Sequence, residues 1–163
     1  MAADYLVSSL PALDFDAPAP ITLAQFDALC REQLGERPFA ALEKEWADLD
    51  AQMRNAAAEE RARLRGGDAS RWRRPTTGCA LHWQSRIRAA FAEKDPDKRD
   101  RLLDKARWDA AGEMTPPASP LSLGAAFTYR IRLEIAIKRQ AISADAGNAA
   151  FDRLTQSATP QTI

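Results

Sequence analysis

The chain has 163 residues with 23 acidic and 23 basic side chains, and 45% of its residues are hydrophobic. This composition is typical of a globular protein of one domain. No stretch approaches the roughly 20 apolar residues that span a bilayer, and Asp4 lies where a signal peptide would carry positive charge. We therefore expect a protein that is neither secreted nor integral to a membrane.

The two cysteines and the distribution of charge refine this expectation. Cys30 and Cys79 lie far apart and show no disulfide framework, so we expect a reducing cytoplasm, with both thiols buried. Residues 1–50 carry 10 acidic and 3 basic side chains, whereas residues 51–109 carry 9 acidic and 15 basic ones. Such asymmetry suggests complementary surfaces, within the chain or between chains. Whether the acidic first third docks on the basic middle is left open.

The N-terminal region is predicted to hold an extended segment and then a helix. The apolar run at residues 5–10 is followed by three prolines, which favour extended geometry in the residues before them, so we predict a short extended arm or strand. Thr22 and Gln25 match a capping box, in which each side chain satisfies an amide at the helix start. A helix is therefore predicted over residues 23–34, ending at Gly35.

The most prominent predicted element is one long amphipathic helix from about Pro38 to Arg65. Pro38 suits the first helical position, where its missing N–H is not needed. Apolar residues then recur at alternating steps of three and four, as in helices that pack on other helices. This stripe consists of Phe39, Leu42, Trp46, Leu49, Met53 and Ala56. Beyond Ala58 the helix is mostly charged, so we expect this end to face solvent or a partner until Gly66 and Gly67 stop it.

A helical hairpin is predicted after a polar link. Residues 81–94 have apolar side chains at positions compatible with one helical face, and Asp95 and Pro96 supply the cap and first turn of a second helix over residues 96–111. The Pro-rich stretch at residues 115–120 is the clearest break in the chain. We predict a single helical domain over residues 1–163, and the alternative is two lobes, 1–114 and 120–163, joined by this Pro-rich linker.

The last third is ambiguous between helix and strand at residues 128–138. Ile131, Leu133, Ile135 and Ile137 alternate as in a half-buried strand, whereas Phe127, Ile131, Ile135 and Ile142 fit a helical stripe. Ser119 and Pro120 form a good helix start, so we favour helix. A final helix is predicted over residues 146–156. The predicted fold is therefore an all-α helical bundle.

The sequence offers little that indicates chemistry. Cys79 and His82 have the spacing of half a zinc site, but the chain offers only one further cysteine and no further histidine, so a structural site with four ligands is not expected. Motifs for nucleotide binding and for serine hydrolases are missing from the sequence. The acids between Asp95 and Asp104 alternate with basic residues, which is typical of an exposed helix face. We expect no enzyme activity, no cofactor and no metal.

The candidate interaction residues are basic and aromatic. Arg71, Trp72, Arg73 and Arg74 follow closely after Arg61, Arg63 and Arg65. Arginine forks beside an aromatic ring bind phosphates and stack on bases, which suggests an RNA- or DNA-binding module using the segment from Arg61 to Arg74. A pI near 6.6 is low for that role, so we favour a protein interface with Trp72 as its anchor.

Two stretches carry a resemblance to a known family. Residues 5–13, with Phe15 and Asp16 following, resemble the start of an uncharacterised bacterial family whose genes lie among those of V-type (V/A-type) ATPase subunits. Residues 46–64 are similar to that family's central helix. The Arg-rich helices also resemble, more loosely, the C/d-type subunit of those ATPases, a longer helical protein that couples the central stalk to the membrane ring.

This resemblance implies a non-enzymatic accessory or assembly role and supplies no functional residues. The leading hypothesis is an accessory protein of a bacterial V-type ATPase that binds other subunits through the charged end of the long helix and residues 71–74. Such a protein would be cytoplasmic and peripheral at the membrane through the ATPase complex. The partner's identity and the oligomeric state are left open.

Overall fold

Six α-helices make up the part of the chain that the computed structural model describes, residues 2–142. They are α1 Ala2–Ser9, α2 Leu23–Leu34, α3 Ala40–Arg65, α4 Leu81–Ala90, α5 Pro96–Ala111 and α6 Leu123–Ala141. Single 3-10 turns follow α3 and α5. This part of the chain contains no strand, so the all-α prediction is confirmed and residues 128–138 are helical. The helix predicted over residues 146–156 lies outside the described residues.

The extended arm predicted near the N-terminus is wrong, because α1 is a helix. Leu6 is fully buried, and α1 packs against α2 and α6. The spacing of Leu6, Val7 and Leu10 places all three side chains in the same core, which a strand would not do. Pro11 restricts only the residue directly before it, so the helix continues to Ser9.

Two helix starts are correctly predicted from their capping residues. The Thr22 hydroxyl accepts a hydrogen bond from the Gln25 amide at 3.2 Å, and the Gln25 side chain accepts one from the Thr22 amide at 2.8 Å. The Asp95 carboxylate accepts from the amides of Asp97 and Lys98 at 2.9 and 3.4 Å. These side chains set the first residues of α2 and α5.

Other predicted boundaries shift because core packing decides them. The long helix begins at Ala40, and Phe39 is its N-cap, so Pro38 precedes the helix. The non-helical backbone of Phe39 places its ring against Phe127, with the ring centres 5.4 Å apart. The next helix, α4, ends at Ala90 instead of near residue 94, and α6 starts at Leu123 behind a Ser122 cap instead of at residues 119–120.

The buried apolar side chains form two clusters. One surrounds α6 and includes Leu6, Phe26, Phe39, Trp108, Phe127 and Leu133. The other joins α3 to the hairpin of α4 and α5, and includes Met53, Ala57, Trp83, Ile87, Phe91 and Ala106. Trp46 on α3 packs against both clusters. No helix within residues 2–142 is both long enough and apolar enough to cross a bilayer.

The Pro-rich segment lies directly against α6. The Thr128 hydroxyl is hydrogen bonded to the carbonyl of Ala111 and to the hydroxyl of Thr115, at 2.7 and 2.8 Å. A Cβ atom added to Gly124 would lie only 2.1 Å from the carbonyl oxygen of Met114. Gly124 therefore allows the backbone after α5 to pack against the first turn of α6.

The acidic first third contacts the basic middle of the chain at two ion pairs between residues that are far apart in sequence. Asp16 lies 2.5 Å from Arg101, and Asp50 lies 2.8 Å from Arg107, so both acids reach α5. The hydrogen bond from Arg101 lowers the pKa of Asp16 from its ordinary value. Both contacts are between groups of opposite charge that are far apart in sequence.

Candidate interaction surface

The surface predicted from the arginines and Trp72 begins where α3 ends. Gly66 has φ +65°, a left-handed conformation that favours glycine. Its amide donates to the carbonyl of Arg63 at 3.3 Å, and the Gly67 amide donates to Ala62 at 2.9 Å, which together form a Schellman motif. The predicted stop is confirmed, and Leu64, at the last turn, is exposed.

Residues 68–80, which we term the return loop, run back along α3. The Asp68 carboxylate accepts hydrogen bonds from the amide and hydroxyl of Ser70, which start the 3-10 turn Ser70–Trp72. Further along, the Asn55 side chain bonds both backbone groups of Arg74, donating to its carbonyl and accepting from its amide, each at 2.8 Å. The chain is thus held to α3 two residues beyond Trp72.

Two more polar side chains of α3 hold the rest of the return loop. Asp48 accepts from the amide and the hydroxyl of Thr77, at 2.6 and 3.0 Å, and Gln52 accepts from the Ala80 amide at 2.5 Å. The backbone hydrogen bond from Thr77, followed by that from the Gln52 side chain, lowers the pKa of Asp48. Asp48, Gln52 and Asn55 are spaced four and three residues apart, so they share one face of α3.

A groove of about 370 Å³ opens between the end of α3 and the return loop, and we term it the Trp72 groove. The residues that line it are Ala58, Arg61, Ala62, Arg65, Gly67, Asp68 and Trp72. The Trp72 side chain is 68% exposed, and the guanidinium of Arg71 lies 5.9 Å from its ring centre. The groove therefore combines an apolar floor of alanines with one exposed aromatic ring and two arginines.

The predicted arginines fall into two groups. Arg63 pairs with Glu60 at 2.8 Å, and Arg73 pairs with Glu59 at 3.0 Å. The other four form no ion pair with an acidic side chain of residues 2–142, although the guanidinium of one of them, Arg61, lies 5.8 Å from the Phe91 ring centre. They are Arg61, Arg65, Arg71 and Arg74.

The structure therefore brings together only part of the predicted set. Arg61, Arg65 and Trp72 line one groove, and Arg71 lies beside the Trp72 ring. The side chains of Arg63 and Arg73 form ion pairs with Glu60 and Glu59. The backbone of Arg74 anchors the return loop.

A second cavity, which the sequence did not predict, lies between α3, α4, α5 and α6. We term it the central cleft; it has a volume of about 340 Å³. Its lining residues are Met53, Arg54, Ala57, Arg61, Ile87, Asp100, Leu103, Asp104, Arg107 and Lys138. Arg61 is common to the central cleft and the Trp72 groove.

Asp104 was interpreted as part of an exposed charged face, and that interpretation is wrong. Its side chain is only 3% exposed, and both carboxylate oxygens accept from the Lys138 ammonium, at 2.8 and 2.9 Å. Asp104 precedes Trp108 by four residues and Ala111 by seven, so it shares their buried face of α5. This spacing is visible in the sequence and could have predicted that Asp104 is buried.

The cysteines and the histidine occupy different surroundings. Cys30 is buried as expected, and its burial raises the pKa of the thiol to about 11. The expectation that Cys79 is buried is wrong, because this residue is exposed in the return loop, near the start of α4. His82 is also exposed, and its ring packs edge-on against Trp83 at 4.8 Å. Residues 2–142 contain no group of three or more potential metal ligands.

Comparison of the chain with protein-family models, with curated proteins and with solved structures found no match.

Proposed function

We propose that this chain is a protein-binding adaptor that docks through the Trp72 groove onto an acidic, partly apolar segment of a partner protein. The observation that supports this proposal is the exposed Trp72 ring beside arginines that lack acidic partners among residues 2–142. Trp and Arg are enriched among the residues that contribute most to binding at protein interfaces. The role is non-enzymatic, and Trp72 is the anchor.

The chemistry of the partner follows from the lining of the groove. Arg61 and Arg65 each present a planar fork of donors that matches the two oxygens of a carboxylate. Ala58 and Ala62 leave an apolar floor next to Trp72, which suits a partner's apolar side chain. We therefore propose a segment in which an apolar residue is flanked by Asp or Glu.

The same surface favours protein over nucleic acid. A nucleic acid is bound through many contacts from basic side chains to successive phosphates. Glu59 and Glu60 already pair with two of the arginines that such contacts would need. A protein carboxylate needs only the arginines at the groove, Arg61 and Arg65, and these form no ion pair within residues 2–142.

We further propose that the partner is a subunit of a V-type ATPase, which the chain serves as an accessory or assembly protein. The support for this partner is the resemblance of residues 5–16 and 46–64 to the family encoded beside those subunits. The exposed arginine and tryptophan surface supplies a means of contact that requires no chemistry by this chain.

The proposal is tested by affinity purification of the tagged full-length chain from the cells that encode it, followed by mass spectrometry. We expect ATPase subunits with the wild type, and at least tenfold less of them with Arg65→Glu, because the reversed charge repels the acidic segment. Arg37→Glu, at an exposed arginine between α2 and α3, serves as the matched control and should recover the wild-type amount. Recovery of no subunits, or equal recovery with Arg65→Glu, contradicts the proposal, and nuclease-sensitive recovery of RNA supports the nucleic-acid alternative.

A further inference from the structure

The central cleft is bounded by four helices and has an apolar floor. Met53 and Ala57 come from α3, Ile87 comes from α4, and Leu103 comes from α5. The volume of about 340 Å³ lies at the lower end of the range for sites that bind small molecules, about 300–1,000 Å³. The floor can therefore receive a short apolar group.

Two arginines of the cleft are held in place by one carboxylate. Asp50 accepts from Nε of Arg54 at 2.5 Å and from Nε of Arg107 at 2.8 Å, and its side chain is only 13% exposed. Among residues 2–142, no hydrogen-bond acceptor is found for the terminal Nη atoms of either arginine. Each guanidinium is thus tied to Asp50 through Nε, and the Nη donors of both line the cleft, although the Arg54 side chain is 51% exposed and that of Arg107 only 25%.

A third cation is fixed on the α6 side of the cleft. The Lys138 ammonium is held by the buried Asp104 carboxylate, and it also lies 3.5 Å from Asp100. With Arg61, which has no acidic partner in the described chain, the cleft has four cationic side chains. The acidic side chains that line it are Asp100 and Asp104. Cationic side chains therefore outnumber acidic ones along the cleft, which suits an anionic ligand.

We propose that the central cleft binds a small organic anion with an apolar tail. Its carboxylate or phosphate head is held by the Nη donors of Arg54 and Arg107, and its tail lies on the partly buried Leu103, beside the buried Met53. A guanidinium forms paired hydrogen bonds with either kind of head, and donors already fixed by Asp50 lose little freedom on binding. This site shares Arg61 with the Trp72 groove but does not rest on the proposed function.

Calorimetric titration of the full chain with octanoate and with octyl phosphate tests the site. We expect at least one of them to bind, and the tighter of the two identifies the head group. Acetate, which has the same head as octanoate but no tail, should bind at least tenfold more weakly. No measurable binding of either probe, or equal binding of acetate, overturns the proposal.

Arginine variants locate the bound probe. Arg107→Gln and Arg54→Gln should each weaken binding about tenfold or more, because each removes charge-assisted hydrogen bonds to the anionic head. In each variant Asp50 still forms an ion pair with the remaining arginine, so its carboxylate is not left unpaired. Arg88→Gln is the matched control, since Arg88 lies outside the cleft and pairs with Glu59. An equal loss with Arg88→Gln, or no loss with either cleft variant, contradicts the site.

A measurement on the wild-type chain tests the site even if an arginine variant fails to fold. The methyl NMR signals of Met53 and Leu103 should shift on addition of the probe that binds, and unchanged signals contradict the site. Trp72→Ala should leave probe binding unchanged while it weakens capture of the protein partner. Failure of the cleft and failure of the Trp72 groove therefore give different results.

Discussion

Replacing Asn55 with alanine should release the return loop from α3. The substitution removes two hydrogen bonds to the backbone of Arg74, each 2.8 Å long and both near solvent. A hydrogen bond contributes about 0.5–1.5 kcal/mol net, so we expect the free energy of opening the loop to fall by about 1–2 kcal/mol. That loss corresponds to an increase of roughly 5- to 30-fold in the open population.

Amide hydrogen exchange measures this population directly. The Arg74 amide, which donates to the Asn55 side chain, should exchange about 5- to 30-fold faster in Asn55→Ala. Amides in the interior of α6 should keep their rates. Gln33→Ala removes an amide side chain from α2 and serves as the matched control. An unchanged Arg74 rate in Asn55→Ala would refute the conclusion that α3 anchors the loop carrying Trp72.

Two further predictions concern packing and pH. Gly124→Ala should lower the free energy of unfolding in urea by about 1–3 kcal/mol, because the new Cβ would lie 2.1 Å from the Met114 carbonyl oxygen. Gly67→Ala is the control and should be nearly neutral, because the nearest atom to its new Cβ is 4.0 Å away. Equal stability of the two variants would contradict this packing. The lowered pKa of Asp48 means that its contribution is complete above about pH 4 and is lost as the pH falls through the folded-state value. Asp48→Asn should therefore lose less stability between pH 6 and pH 3 than the wild type does, and an identical loss would exclude the role of this carboxylate.

The parts of the fold that were predictable depend on local chemistry. The starts of α2 and α5 follow from side chains that bond nearby amides, and the end of α3 follows from the left-handed Gly66. For α6, the helical stripe correctly predicted a helix, whereas the alternation of its isoleucines had suggested a strand. Helix α1 was missed, because its stability comes from burial of Leu6 against helices far along the chain.

The candidate surface was predictable in composition but not in detail. The sequence indicates a cluster of arginines around Trp72, and the spacing of Glu60 and Arg63 on α3 is that of an intrahelical ion pair, yet it does not show that Glu59 engages Arg73. That pairing depends on the path of the return loop. The central cleft depends on the approach of α6, which brings Lys138 to Asp104 across 34 positions of sequence. Contacts of this kind have no local pattern.

The most direct test of the Trp72 groove compares two exposed aromatic residues. Trp72 and Tyr5 are 68% and 70% exposed, so Trp72→Ala and Tyr5→Ala remove side chains of similar accessibility from different surfaces. With circular dichroism verifying the fold of each variant, the recovery of ATPase subunits by each tagged chain is measured against the wild type. We expect Trp72→Ala to weaken binding about 30-fold, as loss of an anchor worth about 2 kcal/mol implies, and Tyr5→Ala to retain it. Equal recovery by the two variants would contradict the assignment of the groove as the docking site.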